Sequence, residues 1–276
     1  ALAGHEAIIH LAAEHRDDVR PLSLYDDVNV CGASQVVRAA DACGCKRVIF
    51  TSSVAVYPLN AGEPAEAFPP APFNPYGESK WKAEQVFNEW AETRPGVSLT
   101  IIRPCVILGE NNRGNVYNLL KQIASKRFLM VGSCDNRKSL AYLGNVAAFL
   151  MHCLELPAGC HLYNYADKPD LCTREIVEIV RAELGMICKM GVRLPYSLGL
   201  AAGYGFDVLA LATGRRLALS SIRIRKFCAD TTVGTTRLQA SGFSPSFGLP
   251  ITLRRMVRYE FMECGSQRKE MTEGGG

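Results

Sequence analysis

Short apolar runs that alternate with longer helix-patterned stretches constrain this chain more than any other feature. EAIIHLAA (6–13), RVIFTSS (47–53) and LTIIRPCVI (99–107) are rich in β-branched residues and bounded by turn or charged residues, the pattern of strands buried on both faces. Between the first two, a helix-like stretch runs from Ser23 to Cys43 and closes at Gly44. Between the next two, a helix follows Pro75 and carries Ala83, Val86, Phe87 and Trp90 on one face. Strand and helix in strict alternation build a right-handed, doubly wound, parallel α/β sheet. Ligands on such sheets sit at the carboxyl ends of the strands, which here read HLAA, FTSS and RPCVILG.

Beyond these runs, NVYNLLKQIAS (115–125), NVAAFLMHCLE (145–155) and TREIVEIVRAELG (173–185) have the period of amphipathic helices. The last is expected to be capped by Thr173 and to end just before Gly185. ITLRRMVRYEFM (251–262) predicts a final helix, and the polar residues 263–276 a loose tail.

The 276 residues suffice for one large α/β domain, or for a nucleotide-type domain and a smaller one. Apolar residues at 48% and charged residues at 21% exclude a disordered chain. The net charge of +4 is spread out, and the densest basic cluster, GRRLALSSIRIRK (214–226), alternates with apolar residues. It lacks the aromatic or finger motifs of a nucleic-acid reader, so nucleic acid is not expected as a partner. The eleven cysteines are scattered singly, with no C-x-x-C and no zinc-type spacing. No metal site is therefore expected, and buried, reduced thiols in a cytoplasmic setting are.

One constellation carries chemistry. In NPYGESK, Tyr76 and Lys80 stand at i and i+4 of a helix that Asn74 can cap and Pro75 can open, so phenol and ammonium share a face. A free tyrosine, with a pKa of about 10, is a poor base at neutral pH. A neighbouring ammonium favours the phenolate, which could then take a proton from a sugar hydroxyl while hydride leaves the same carbon. Alone the pattern is weak. FTSSVAVY, however, ends the strand just upstream and offers a serine hydroxyl to the same substrate oxygen.

These residues together resemble the extended short-chain dehydrogenase/reductase family, the NAD-dependent sugar epimerases and dehydratases. The resemblance runs from about residue 6 to residue 262 and implies a Rossmann-like sheet with NAD as cofactor. It implies Ser53, Tyr76 and Lys80 as the catalytic set. It also implies a cofactor site lined by Leu11, Ala12, Ala13, Asn29, Ser52, Tyr76, Lys80 and Pro104. For the substrate diphosphate it points to Asn115 and Lys138, and His15 borders the pocket. The domains implied are the remaining part of the Rossmann domain over 1–109 and a substrate domain over 110–262, interleaved with the last Rossmann elements. A homodimer is implied by family habit.

The departures are informative. The glycine-rich turn that approaches the pyrophosphate is expected roughly 50 to 60 residues before the first residue, so the chain reads as lacking its first βαβ unit. VYP stands where relatives usually have VYG, and Pro58 stiffens a loop by the site. Dehydratases of the family carry an acidic pair where this chain has Ser52, Ser53 and Val54, which disfavours dehydration; the resemblance implies epimerisation through a transient C4 ketone, though the same triad serves simple reduction or oxidation. An NAD(P)-dependent sugar-nucleotide reductase and a non-catalytic fragment are the alternatives.

LAAEHRDDVRPLSLYDDVNV, RGNVYNLLKQIASKRFLMVG, YNYADKPDL and SSIRIRKFCADT resemble bacterial 4-epimerases of O-antigen synthesis. Members of that group convert N-acetylglucosaminyl-diphospho-undecaprenol to its N-acetylgalactosaminyl form, and related enzymes use the UDP-linked sugar. The apolar segment 194–216 fits either role. It can be an interfacial helix pair at the inner face of the cell membrane, with Arg215, Arg216, Arg223 and Arg225 at phosphate level. It can equally be a buried helix whose arginines, Arg223 and Arg225 among them, meet a soluble diphosphate. Asp207 stands too centrally for a comfortable transmembrane span.

Overall fold

The computed structural model describes residues 4–16, 19–186, 193–213 and 220–263. Its strands are β1 (Ala7–His10), β2 (Arg47–Thr51), β3 (Ser98–Pro104), β4 (Val106–Leu108), β5 (Met130–Val131), β6 (Arg137–Tyr142), β7 (Gly159–Tyr165), β8 (Asp167–Cys172) and β9 (Arg193–Leu194). The α-helices are α1 (Ser23–Tyr25), α2 (Cys31–Cys43), α3 (Pro75–Glu92), α4 (Asn115–Ala124) and α5 (Leu143–His152). They continue with α6 (Thr173–Glu183), α7 (Tyr196–Thr213), α8 (Ser221–Cys228), α9 (Thr236–Ala240) and α10 (Leu249–Val257).

Two compact units result. One comprises residues 1–107, 141–167 and 233–246, the other residues 108–140, 168–232 and 247–276. The first holds a four-stranded sheet in the order β1-β2-β3-β7, every neighbouring pair parallel. This is the Rossmann-like α/β sheet that the strand–helix alternation predicts.

Period-two alternation explains why both faces are covered. Val48, Phe50, Leu99 and Ile101 pack on one side with Ala33 and Ala40 of α2 and Ala83, Phe87 and Trp90 of α3. Ile49 and Ile102 turn the other way, onto Val146 and Phe149 of α5. Gly44 ends α2 at φ 68°, a left-handed position that its missing Cβ makes inexpensive.

Local bounds depart from the sequence pattern in four places. β1 stops at His10, so Leu11, Ala12 and Ala13 leave the sheet and form the loop beyond it. The run 99–107 breaks at Cys105, because Pro104 has no N–H to continue the ladder; β3 ends there, and β4 joins β6 and β8 in a separate three-stranded sheet. The helix expected over 23–43 carries a π-helical turn at Asp26–Val30, which contains the buried Asn29. Thr173 does not cap α6. Its hydroxyl bonds to the Asn136 side chain, and the cap falls one residue earlier: the Cys172 sulfur accepts from the Glu175 N–H while the Glu175 carboxylate accepts from the Cys172 N–H.

In the second unit α7 and α8 pack through small residues. A Cβ at Gly203 would lie 2.8–2.9 Å from Ile224 and the backbone of Ser221, and one at Gly199 would lie 2.6 Å from Val131. Asp207 accepts a hydrogen bond from the Ser221 N–H at 3.1 Å, so this carboxylate sits at the first turn of α8. Most large apolar side chains of α7 are left outside: Val208 is 67% exposed and Leu211 87%. Among the described residues no helix is long and apolar enough to cross a membrane.

Candidate active site

The end of β2 and the start of α3 meet in the first unit. Ser53 is extended and accepts the Ala55 N–H at 3.1 Å, capping a short 3-10 turn over Val54–Val56. Asn74 caps α3, its side-chain oxygen accepting the Gly77 N–H at 2.7 Å, and Pro75 opens the helix. Tyr76 thus lies in the first turn of α3. Gly77 is buried against Ala55: a Cβ there would lie 2.1 Å from the Ala55 carbonyl oxygen. A glycine is what lets the tyrosine helix close on the serine turn.

Lys80 is buried one turn further on, its ammonium donating to the Thr51 carbonyl at 2.8 Å and lying 4.9 Å from the centre of the Phe50 ring. Burial lowers its pKa to about 8, against the opposing pull of the Glu84 carboxylate. His10, stacked on Phe50 at the end of β1, has its pKa lowered by burial and then by the Lys80 charge.

Asn29 ties three segments together. Its side chain accepts the Glu14 N–H at 2.9 Å and donates to the Glu14 carbonyl at 3.0 Å and to the Ser79 hydroxyl at 2.8 Å. Ser79 in turn donates to the Tyr76 carbonyl at 2.8 Å. The loop bearing Leu11, Ala12 and Ala13 is therefore held from its Glu14 end to the same helix that bears Tyr76. Leu11 and Ala12 are exposed, and His15 is exposed beyond them. Ser52 is buried and its hydroxyl donates to Glu84 at 2.5 Å; Pro104 is buried at the end of β3.

The remaining predicted site residues belong to the second unit. Asn115 is exposed at the first position of α4. Lys138 is half-buried in β6, donates to the Ala229 carbonyl at 2.5 Å, and has its pKa lowered to about 8 chiefly by desolvation. Arg225 is exposed, bonds the Tyr204 hydroxyl of α7 and lies over that ring. The Arg223 side chain, Arg215 and Arg216 lie outside the described residues.

Sequence reasoning did not find Gly77, Ser79 or Glu84. Glu84 was reachable: it stands at i+8 from Tyr76 and i+4 from Lys80, on their helix face.

The sequence of residues 1–165 matches the family described as the NAD dependent epimerase/dehydratase family. A protein of Escherichia coli O157:H7, N-acetyl-alpha-D-glucosaminyl-diphospho-ditrans,octacis-undecaprenol 4-epimerase, is 51% identical over 96% of this chain and 80% of its own length. Among solved structures, UDP-N-acetylglucosamine 4-epimerase from Methanobrevibacter ruminantium M1 superposes with a TM-score of 0.72 at 18% identity, over 95% of this chain and 78% of that one. UDP-glucuronic acid 4-epimerase from Bacillus cereus in complex with NAD gives 0.71 at 16% identity, over 92% and 74%. The chain belongs to the NAD dependent epimerase/dehydratase family.

Proposed function

We propose that this protein is an NAD-dependent 4-epimerase that interconverts N-acetylglucosaminyl and N-acetylgalactosaminyl units carried on undecaprenyl diphosphate, in the synthesis of a cell-surface polysaccharide. The observation that carries the activity is the Ser53 turn closed on the first turns of α3, with Tyr76 and Lys80 on one face. The carrier rests on the 51% identity to the undecaprenol-linked enzyme.

The residues fit the cofactor of the family. Parallel strands end together here, and beyond β1 the exposed Leu11 and Ala12 and the half-buried Ala13 offer a small-residue loop anchored through Asn29. Leu11, Ala12, Ala13 and Pro104 would line NAD, with Tyr76 and Lys80 beside its ribose. The chemistry that NAD supplies when bound is reversible hydride exchange at C4 of the sugar. Tyr76 removes and returns the proton of the C4 hydroxyl, and Ser53 donates a hydrogen bond to the same oxygen. Lys80, one turn further along the same helix face, supplies the positive charge beside this proton transfer.

For the substrate, Asn115, Lys138, Arg223 and Arg225 are the proposed diphosphate contacts, with His15 at the sugar. The exposed apolar residues of α7 are proposed to rest on the membrane surface, and two copies to pair through α3 and the helix before it. The test is to incubate the protein with both N-acetylglucosaminyl-diphospho-undecaprenol and UDP-N-acetylglucosamine and to identify the released sugar. Galactosamine product from the lipid carrier, without consumption of added NADH and lost in Tyr76→Phe, supports the proposal. Product that survives Tyr76→Phe refutes it.

A further inference from the structure

Tyr76, Lys80 and Glu84 stand at i, i+4 and i+8 of α3, three successive turns of one face. Glu84 is 1% exposed, and its carboxylate accepts three hydrogen bonds. Its Oε1 accepts the Ser52 hydroxyl at 2.5 Å and the Arg103 Nε at 2.9 Å; its Oε2 accepts the Arg103 Nη2 at 2.6 Å. Arg103, from β3, is equally buried and donates from Nη1 to the Tyr57 hydroxyl at 2.7 Å, which donates to Asn164 at 2.9 Å. The carboxylate is thus locked in one orientation by a planar fork, the geometry in which a charge-assisted pair is most directional.

That orientation reaches the reacting groups by two routes. Lys80 holds the Thr51 carbonyl and Glu84 holds the Ser52 hydroxyl, so two consecutive residues of the β2 end are pinned to two consecutive turns of α3, immediately before Ser53. Glu84 is also the carboxylate that acts on the buried Lys80 ammonium; the other groups facing that ammonium are His10 from β1 and the Thr51 carbonyl and Phe50 ring from β2.

We propose that Glu84 is a positioning residue for the reaction, setting the place of Ser53 through Ser52 from a point one helix turn beyond Lys80, with Arg103 as the counter-ion that holds the carboxylate in place. A core ion pair serving stability alone would have no reason to end on the residue before the catalytic serine. The inference rests on the epimerase reading for its rate effect; its effect on Lys80 is expected because the carboxylate stands one turn further along the same helix face and favours the lysine's charged form.

The experiment measures the two separately. Lysine ε-13C NMR follows the titration of Lys80, assigned by the signal lost in Lys80→Met, in the wild-type protein, Glu84→Gln, Ser52→Ala and the double variant Glu84→Gln/Arg103→Gln, which removes both buried charges and covers a failure of the single variant to fold. Turnover and thermal midpoints are recorded on the same samples. We expect the Lys80 midpoint to move to lower pH in both Glu84 variants and to stay in Ser52→Ala. We expect kcat to fall about 100-fold in the Glu84 variants, the scale of a misplaced reacting group, and about tenfold in Ser52→Ala, with KM little changed. An unmoved Lys80 midpoint, or a rate loss in the double variant that follows its thermal midpoint, would overturn the proposal and leave Glu84 as a structural ion pair. A moved midpoint in a protein with no epimerase activity would instead overturn the epimerase reading and leave the Glu84–Lys80 coupling standing.

Discussion

Gly77 lies against Ala55 so closely that a Cβ on it would come within 2.1 Å of the Ala55 carbonyl oxygen. Backbone, unlike the end of a flexible side chain, has nowhere to go, so Gly77→Ala must push the start of α3 off the Ser53 turn. Overpacking of this kind costs about 1–3 kcal/mol. The expected result is a folded protein with a lower thermal midpoint and a kcat reduced by more than about tenfold, because Ser53 and Tyr76 move apart. Wild-type turnover in Gly77→Ala would show that their spacing does not matter.

Asn29 answers three polar groups with one side chain. Asn29→Leu keeps the volume and leaves the Glu14 N–H and carbonyl and the Ser79 hydroxyl to find other partners. A buried group left unsatisfied costs about 1–3 kcal/mol. Urea unfolding should show a lower midpoint with the slope unchanged, and NAD binding should weaken because the loop from Leu11 to Glu14 loses its anchor. Undiminished stability would mean that water takes over all three bonds.

Lys80 and Lys138 give stability a definite sign with pH. Each has a folded pKa of about 8 against an ordinary lysine value near 10.5, lowered chiefly by burial. Between those two pH values the unfolded chain binds protons that the folded chain has shed, so stability rises with pH across the window, and the gain is lost as pH falls back from about 10.5 to 8. For Lys80 the change is on the order of 3 kcal/mol. Denaturant midpoints from pH 7.5 to 10 should therefore climb in the wild-type protein, and the climb should flatten in Lys80→Met and again in Lys138→Met. A flat wild-type profile would mean that both ammonium groups stay hydrated.

Much of this arrangement was legible in the sequence because it rests on short-range rules. The capped helix with Tyr76 and Lys80 on one face follows from Asn74, Pro75 and a spacing of four, and the parallel sheet from three β-branched runs. What the pattern hid depends on long-range contact. Gly77 reads as an ordinary glycine until Ala55 is beside it, and Arg103 as a strand residue until it meets Glu84 across 19 positions. Thr173 outranks Cys172 as a cap on propensity, yet Asn136 engages its hydroxyl and the thiol takes the position. Asp207, too central for a comfortable transmembrane span, receives the first N–H of the next helix.

The helix α7 inverts the usual rule for an amphipathic helix, and that inversion yields the last prediction. Gly199 and Gly203 face inward because only a glycine lets Val131 and Ser221 approach so closely, while Val208 and Leu211 face outward. Burying one such side chain is worth about 1.5–3 kcal/mol, so a face of this kind is a ready contact for acyl chains, with Arg225 nearby for lipid phosphate. Since neither residue packs within its own unit, Val208→Glu and Leu211→Glu should change folding stability by less than about 0.5 kcal/mol. Each should nonetheless weaken co-sedimentation with phosphatidylglycerol vesicles by about tenfold or more, and turnover of the undecaprenyl-linked sugar should fall while turnover of any UDP-linked sugar does not. A large loss of stability would show that the face is covered in the folded protein, and unchanged vesicle binding would show that this face does not meet the membrane.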